Sequence, residues 1–292
     1  MSSSQLTIIC IACLVSITTA LPGIFLLLRK VSLMSDAISH SVLLGIVLAF
    51  FWVKDLSSPY LFCGAVASSF CMVIATEWFI RTKQVAKDTA IGMTFPLFFA
   101  LAILLINCNI RNVHLDIDSV LLGELAFAPF NRLILWGRDL GPQAVWTMGI
   151  IFLLNLTLFT LFYKELTLST FDPEFARVVG ISSKRIHYSL MLLTTITIVG
   201  AFDCVGAILV VALMIAIPST AYLLSGSVLM MFWLSIGIGI LNSLLGYFLA
   251  ASLNGSIAGA IATTSGFTFL AIILIREVGQ TIQSLCQKRH LT

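Results

Sequence analysis

Long apolar runs, each broken by a short polar or charged link, repeat along this chain from end to end. Nine windows stand out: Leu6–Leu28, Leu33–Val53, Tyr60–Ile80, Thr89–Ile106, Val145–Tyr163, Tyr188–Phe202, Val205–Ala216, Val228–Ala250 and Ile257–Ile275. A helix of about 20 residues, rising about 1.5 Å per residue, matches a hydrocarbon core of about 30 Å. Most of the windows are that long, and none alternates apolar and polar positions with the period of an outer-membrane strand. The pattern therefore predicts an all-α, polytopic membrane helix bundle of eight to nine transmembrane helices in a single domain over residues 1–292. Around Asp203 the prediction divides. Gly200 and Gly206 bracket a short polar break there, and one broken helix fits as well as two separate ones.

Composition agrees. With 292 residues, 59% of them hydrophobic and 10% charged, and a mean hydropathy of +1.08, the chain has more apolar surface than a soluble core can use. The formal net charge of +3 is spread over short links and forms no basic patch, so no nucleic-acid partner is implied. Placing the N-terminus outside puts twelve of the 16 Lys and Arg residues in inner loops and leaves only Lys54, Arg111, Arg132 and Arg138 outside. The positive-inside rule then favours an external N-terminus and a cytoplasmic C-terminus. The opening run MSSSQLTIICIACLVSITTA lacks a positive leader and predicts a first spanning helix rather than a cleaved signal. Seven scattered cysteines suggest no disulfide framework. Cys10 and Cys13 form a C-x-x-C that fits either a soft-metal pair or apolar filler.

Within Ser32–Trp52 the apolar run carries an acid and a histidine four residues apart, Asp36 and His40. On a helix both project from one face, one turn apart, and can share a ligand. A buried Asp costs about 2.5–3.5 kcal/mol at a helix centre on insertion scales, so its presence points to function. The competing reading makes Asp36 a helix cap and His40 a satisfied bundle residue. Ala37, Ser41, Gly45 and Ala49 form a ridge of small side chains that admits another helix closely. Gly255, Gly259 and Thr263 predict the same for the last span.

Two further segments stand between spans. The Asn107–Gln143 loop holds HLDID, in which His114, Asp116 and Asp118 offer either cation ligands or simply an exposed acidic loop. It continues into VLLGELAFAPF, a stretch too short to span that predicts re-entry into the bundle. On the inner side, 164–187 forms a cytoplasmic amphipathic loop containing a short helix, with Asp172 as N-cap, Pro173 in the first turn and Gly180 as stop. That helix fits a membrane-plane position, a docking role or a plain connector. At 218–227 a Pro-Ser-Thr break makes a candidate coupling loop, favoured over the longer loop because it links two spans directly.

No G-x-x-x-x-G-K-[ST] run occurs, and no Ser/His/Asp, Cys/His or paired-carboxylate constellation. The chain does not read as an enzyme, and its energy is supplied from elsewhere. The run SDAISHSVLLGIVLAF (Ser35–Phe50) closely resembles the signature of membrane subunits of bacterial ABC importers for zinc, manganese and iron. FDPEFARVVGIS (Phe171–Ser182) and GAILVVALMIAIPSTA (Gly206–Ala221) resemble the same family in order and spacing. Leu44 departs from it, since the family usually has proline there, and implies that no kink follows His40.

The resemblance implies a permease of the bacterial inner membrane, paired with a second permease as a homo- or heterodimer. It also implies a cytoplasmic ATPase dimer and an extracytoplasmic metal-binding protein as partners. Asp36 and His40 are then the residues that contact the passing cation. The divalent metal ion (Mn, Zn or Fe) is cargo, and no cofactor is permanently bound. The alternative from another class is a gradient-driven secondary metal transporter using Asp36 and His40 as a proton relay.

Overall fold

A computed structural model describes residues 3–55, 58–109, 125–135 and 138–289. The helices α1 (Ser3–Leu28), α2 (Met34–Val53), α3 (Pro59–Arg81) and α4 (Lys87–Asn109) lead to a two-stranded hairpin, β1 (Arg132–Leu135) and β2 (Arg138–Pro142). Then follow α5 (Gln143–Leu161), two short helices α6 (Tyr163–Phe171) and α7 (Pro173–Val178), and α8 (Ser183–Val205), α9 (Ala207–Leu224), α10 (Val228–Leu253) and α11 (Ile257–Arg289). Among the described residues nine of these helices are long and apolar enough to cross a membrane.

Local chemistry sets most of the ends. Lys30, Lys54 and Asn254 adopt the left-handed conformation just past α1, α2 and α10, and Val31 N–H closes the first of these turns onto Leu26 O at 3.0 Å. Ser58 caps α3 ahead of Pro59 in its first turn. At Gly206 the backbone turns through φ 79°, so a single residue separates α8 from α9. The segment around Asp203 is thus the end of one full span, and the two-helix reading holds.

Pro218 does not break its helix, contrary to the prediction from the sequence. It lies inside α9, which runs on to Leu224, and only Ser225–Ser227 connects it to α10. A helix-interior proline leaves the carbonyl four residues back without its donor. That carbonyl, Met214 O, faces α1 at Gly23, so closely that a Cβ there would lie 2.3 Å away. The neighbouring helix accommodates the defect, as it does in many membrane helices.

α1 runs through the centre of the bundle against α5, α8, α9 and α10. On one flank α2 packs on α3 and α4, and on the other α9, α10 and α11 pack together. Close approach depends on small residues. A Cβ on Gly45 would come within 2.2 Å of Gly64 O, and one on Gly246 within 2.5 Å of Ile261 Cα. Hydroxyls add bridges between helices, Ser16–Ser243 at 2.7 Å and Thr76–Thr94 at 2.6 Å. For the last span the predicted ridge is displaced: Gly255 has no atom within 4 Å of a built Cβ, Gly259 meets only Ser256 and Thr263 is exposed. The buried seam of α11 falls instead on Ala258, Ile261 and Ser265, one face round the helix.

The hairpin β1–β2 was not foreseen, because its short charged strands carry no apolar alternation. Arg132 and Asp139 pair across it. Just before it, Leu125 is buried in the main core while Phe127 and Phe130 are exposed.

Candidate functional site

Asp36 lies in the first turn of α2 and His40 one turn further. Their side chains meet, His40 Nε2 standing 3.5 Å from Asp36 Oδ1. Asp36 is not a cap. The N-cap position, Leu33, makes no side-chain hydrogen bond, and the nearby Ser35 hydroxyl donates to Ser32 O at 2.8 Å. His40 is held by two rings of α4: Phe95 stacks on it at a centroid distance of 5.6 Å and 24°, and Phe99 meets it edge-on at 5.6 Å and 72°. With the ring fixed from one side, Nε2 is directed toward Asp36.

The opposite face of α2 is anchored. Ala37, Ser41 and Gly45 are buried, and Ser68 and Ser69 of α3 donate to Ser41 O at 3.0 Å and Ile38 O at 3.4 Å. α2 continues without interruption through Leu44, which packs with Leu43, Val47, Ala102 and Ile106, so the kink that proline would cause is absent. Pinned behind and clamped beside, the pair points away from its own bundle. The Asp36 side chain remains 43% exposed and His40 32%. Lipid is a poor neighbour for such a pair, since intramembrane ionisable groups face a bundle interior or a watery path.

Among the described residues no three His, Cys, Asp or Glu side chains converge as a metal-ligand group. This chain thus brings two candidate ligands together. Cys10 is exposed and Cys13 half-buried, with no third ligand beside them. His114, Asp116 and Asp118 lie outside the described residues. At the end of the bundle rich in Lys and Arg, Arg29, Glu77 and His187 meet in a cluster that sequence reasoning missed. The only signal was an acid or a histidine near the end of an apolar run.

Residues 4–276 match the profile of the ABC 3 transport family. The chain belongs to that family. The zinc transport system membrane protein TroD of Treponema pallidum is 47% identical to it over 91% of this chain and 72% of TroD. The manganese transport system membrane protein MntD of Bacillus subtilis is 41% identical over 96% of this chain and 95% of its own length. Among solved structures, PsaBC from Streptococcus pneumoniae in complex with Fab aligns with a TM-score of 0.74 at 31% identity, covering 93% of this chain and 91% of that one. The ABC 3 transport chain is accordingly a multi-pass bacterial membrane protein and a transport component rather than an enzyme. The gradient-driven alternative finds no support in these likenesses.

Proposed function

We propose that this chain is the membrane-spanning permease of an ATP-driven importer for divalent transition-metal ions, manganese, zinc or iron, and that Asp36 and His40 are its contribution to the translocation path. The observation that carries this reading is the paired, half-exposed carboxylate and imidazole that α3 and α4 hold facing outward from the bundle. One Asp and one His cannot satisfy a transition-metal ion, which takes about four to six ligands. A second permease supplies the rest. When two such helices face each other across a two-fold or pseudo-two-fold axis, two carboxylates and two imidazoles surround one ion. The carboxylate charges offset part of the cation's desolvation cost. A homo- or heterodimer meets this requirement equally, and an extracytoplasmic metal-binding protein delivers the ion to it.

The missing P-loop calls for a cytoplasmic ATPase dimer. Its docking element is α7 in this reading, rather than the favoured 218–227 loop. In α9 Pro218, Thr220 and Ala221 are buried, and the exposed part is short: Tyr222, Leu224 and the Ser225–Ser227 link. α7 is built to project. Asp172 Oδ1 accepts from Phe175 N–H at 2.9 Å, Pro173 sits in the first turn, and Phe175, Val178 and Val179 are left exposed, Val178 by 83%. An apolar tip of that kind at the basic end of the bundle suits a protein groove.

The test is metal uptake by the assembled complex. Asp36→Ala and His40→Ala each abolish uptake while assembly and ATPase attachment persist. Asp36→Asn, which keeps the size and one oxygen, separates charge from shape. Normal transport by both alanine variants would remove the pair from the path. ATP depletion stops wild-type uptake and an uncoupler does not; the opposite result would restore the gradient-driven reading.

A further inference from the structure

Arg29 is the first residue past α1, and its guanidinium makes three side-chain contacts. Nε donates to Thr170 Oγ1 at 3.1 Å and Nη2 to Ser169 Oγ at 2.9 Å, both on α6, while Nη1 lies 3.1 Å from His187 Nδ1 on α8. On its other side, His187 Nε2 lies 2.8 Å from Glu77 Oε1 on α3. The imidazole and carboxylate side chains are 20% and 12% exposed. A guanidinium has donors only, so Nδ1 must accept and the ring proton must sit on Nε2, where it donates to Glu77. The geometry thus selects one neutral tautomer of His187, held between a cation and an anion. A second proton, on Nδ1, would face the guanidinium N–H groups and cost that contact.

The surroundings hold the cluster. Burial pushes the Arg29 guanidinium down to about 10, with the Glu77 carboxylate opposing the shift, so it stays charged near neutrality. Lys87 Nζ donates to Arg29 O at 3.3 Å. Arg81 donates to Tyr188 OH at 2.9 Å and lies 5.6 Å from the centre of that ring. The cluster joins α6, which leads through Asp172 directly into α7, to α3, the helix that seats α2 through Gly64 and Ser68.

We infer that Arg29, His187 and Glu77 form a positioning relay by which movement of the α6–α7 element is carried to α3 and so to the helix bearing Asp36 and His40. The inference rests on the reading of α7 as the ATPase docking element. Its logic is mechanical: charge-assisted hydrogen bonds of defined direction transmit displacement where exposed apolar contacts slide. His187 is a positioning residue in this reading, since it acts through Arg29 and Glu77 and is not one of the candidate ion ligands. Its chemistry is specific, because the bridge needs a donor toward Glu77 and an acceptor toward Arg29 on one side chain.

The experiment uses the whole importer in proteoliposomes, with both permeases, the ATPase dimer and the binding protein, and reads Mn²⁺ imported per ATP hydrolysed. His187→Leu keeps the bulk and removes both bonds. It lowers that ratio by at least about tenfold, the factor that loss of even one of the two bonds to charged groups corresponds to. His187→Gln restores the ratio, because an amide donates to Glu77 and accepts from Arg29, and a merely space-filling role would not distinguish it from Leu. Should His187→Leu fail to assemble, Arg29→Lys serves, since one ammonium cannot bridge Ser169, Thr170 and His187 together, and the same loss is expected. A cross-link from Val178→Cys to the ATPase is scored in parallel. With that cross-link present, a wild-type ratio in the Leu or Lys variant, or a Gln variant as impaired as Leu, overturns the relay alone. Without it in an otherwise wild-type complex, the docking reading falls and the relay falls with it.

Discussion

Replacing Gly45 by alanine tests whether the α2–α3 seam holds the candidate site in place. The added Cβ would sit 2.2 Å from Gly64 O and 2.6 Å from Ala65 Cα. Ordinary contact between such atoms needs about 3.5 Å, so the helices must part by about 1 Å. Both obstructing groups are backbone, and no side chain can rotate away. The cost should therefore lie near the top of the range for overpacking, about 3 kcal/mol. Two controls separate this from glycine replacement in general. At Gly200 the built Cβ meets the far end of Ile151, which can change rotamer, and at Gly149 it meets nothing within 4 Å. Thermal unfolding of the purified complex in detergent should rank Gly45→Ala well below Gly200→Ala, with Gly149→Ala unchanged or raised by up to about 1 kcal/mol. Gly45 stands little more than one turn beyond His40, so parting the seam moves the pair as well. Metal uptake should fall by up to about 100-fold, the effect of displacing a positioned group by about 1 Å. If Gly45→Ala melts and transports like Gly149→Ala, the seam does not position the site.

Topology and the polar core give two further predictions. In a background without native cysteines, a cysteine at Asn131 should react with an impermeant reagent from outside, and one at Lys83 only after permeabilisation; the reverse pattern would invert the orientation drawn from the Lys and Arg distribution. Asn155, 1% exposed, donates to Thr197 Oγ1 at 2.9 Å and lies 3.3 Å from Thr18 O, tying α5 to α8 and α1. Asn155→Ala should lower unfolding stability by about 1–2 kcal/mol, and an unchanged midpoint would mean that this bridge contributes nothing to packing.

Hydropathy along the chain was enough to reveal eight to nine spans, because bilayer thickness demands about 20 apolar residues per helix wherever that helix finally packs, and the turn at Gly206 decided between one broken helix and two. Spacing likewise placed Asp36 and His40 on one face, and the Asp172–Pro173 pair announced the start of α7, since both follow from contacts within one or two turns. Long-range geometry decided the rest. Two small-residue ridges with the same spacing met different fates: Gly45 is pressed against Gly64, while Gly255 faces open space and Gly259 meets only the nearby Ser256, because the face that meets a neighbour depends on where that neighbour lies. The missing N–H of Pro218 predicts a break, yet the helix continues where Gly23 of α1 comes close to the Met214 carbonyl, to which Pro218 cannot donate. Arg29 and His187 are 158 residues apart in sequence, and no local pattern signals that they share a hydrogen bond. That the Asp36–His40 pair is left partly exposed is likewise a property of the packed bundle. Local periodicity dictates which residues share a face of one helix; only the packing of helices dictates what that face meets.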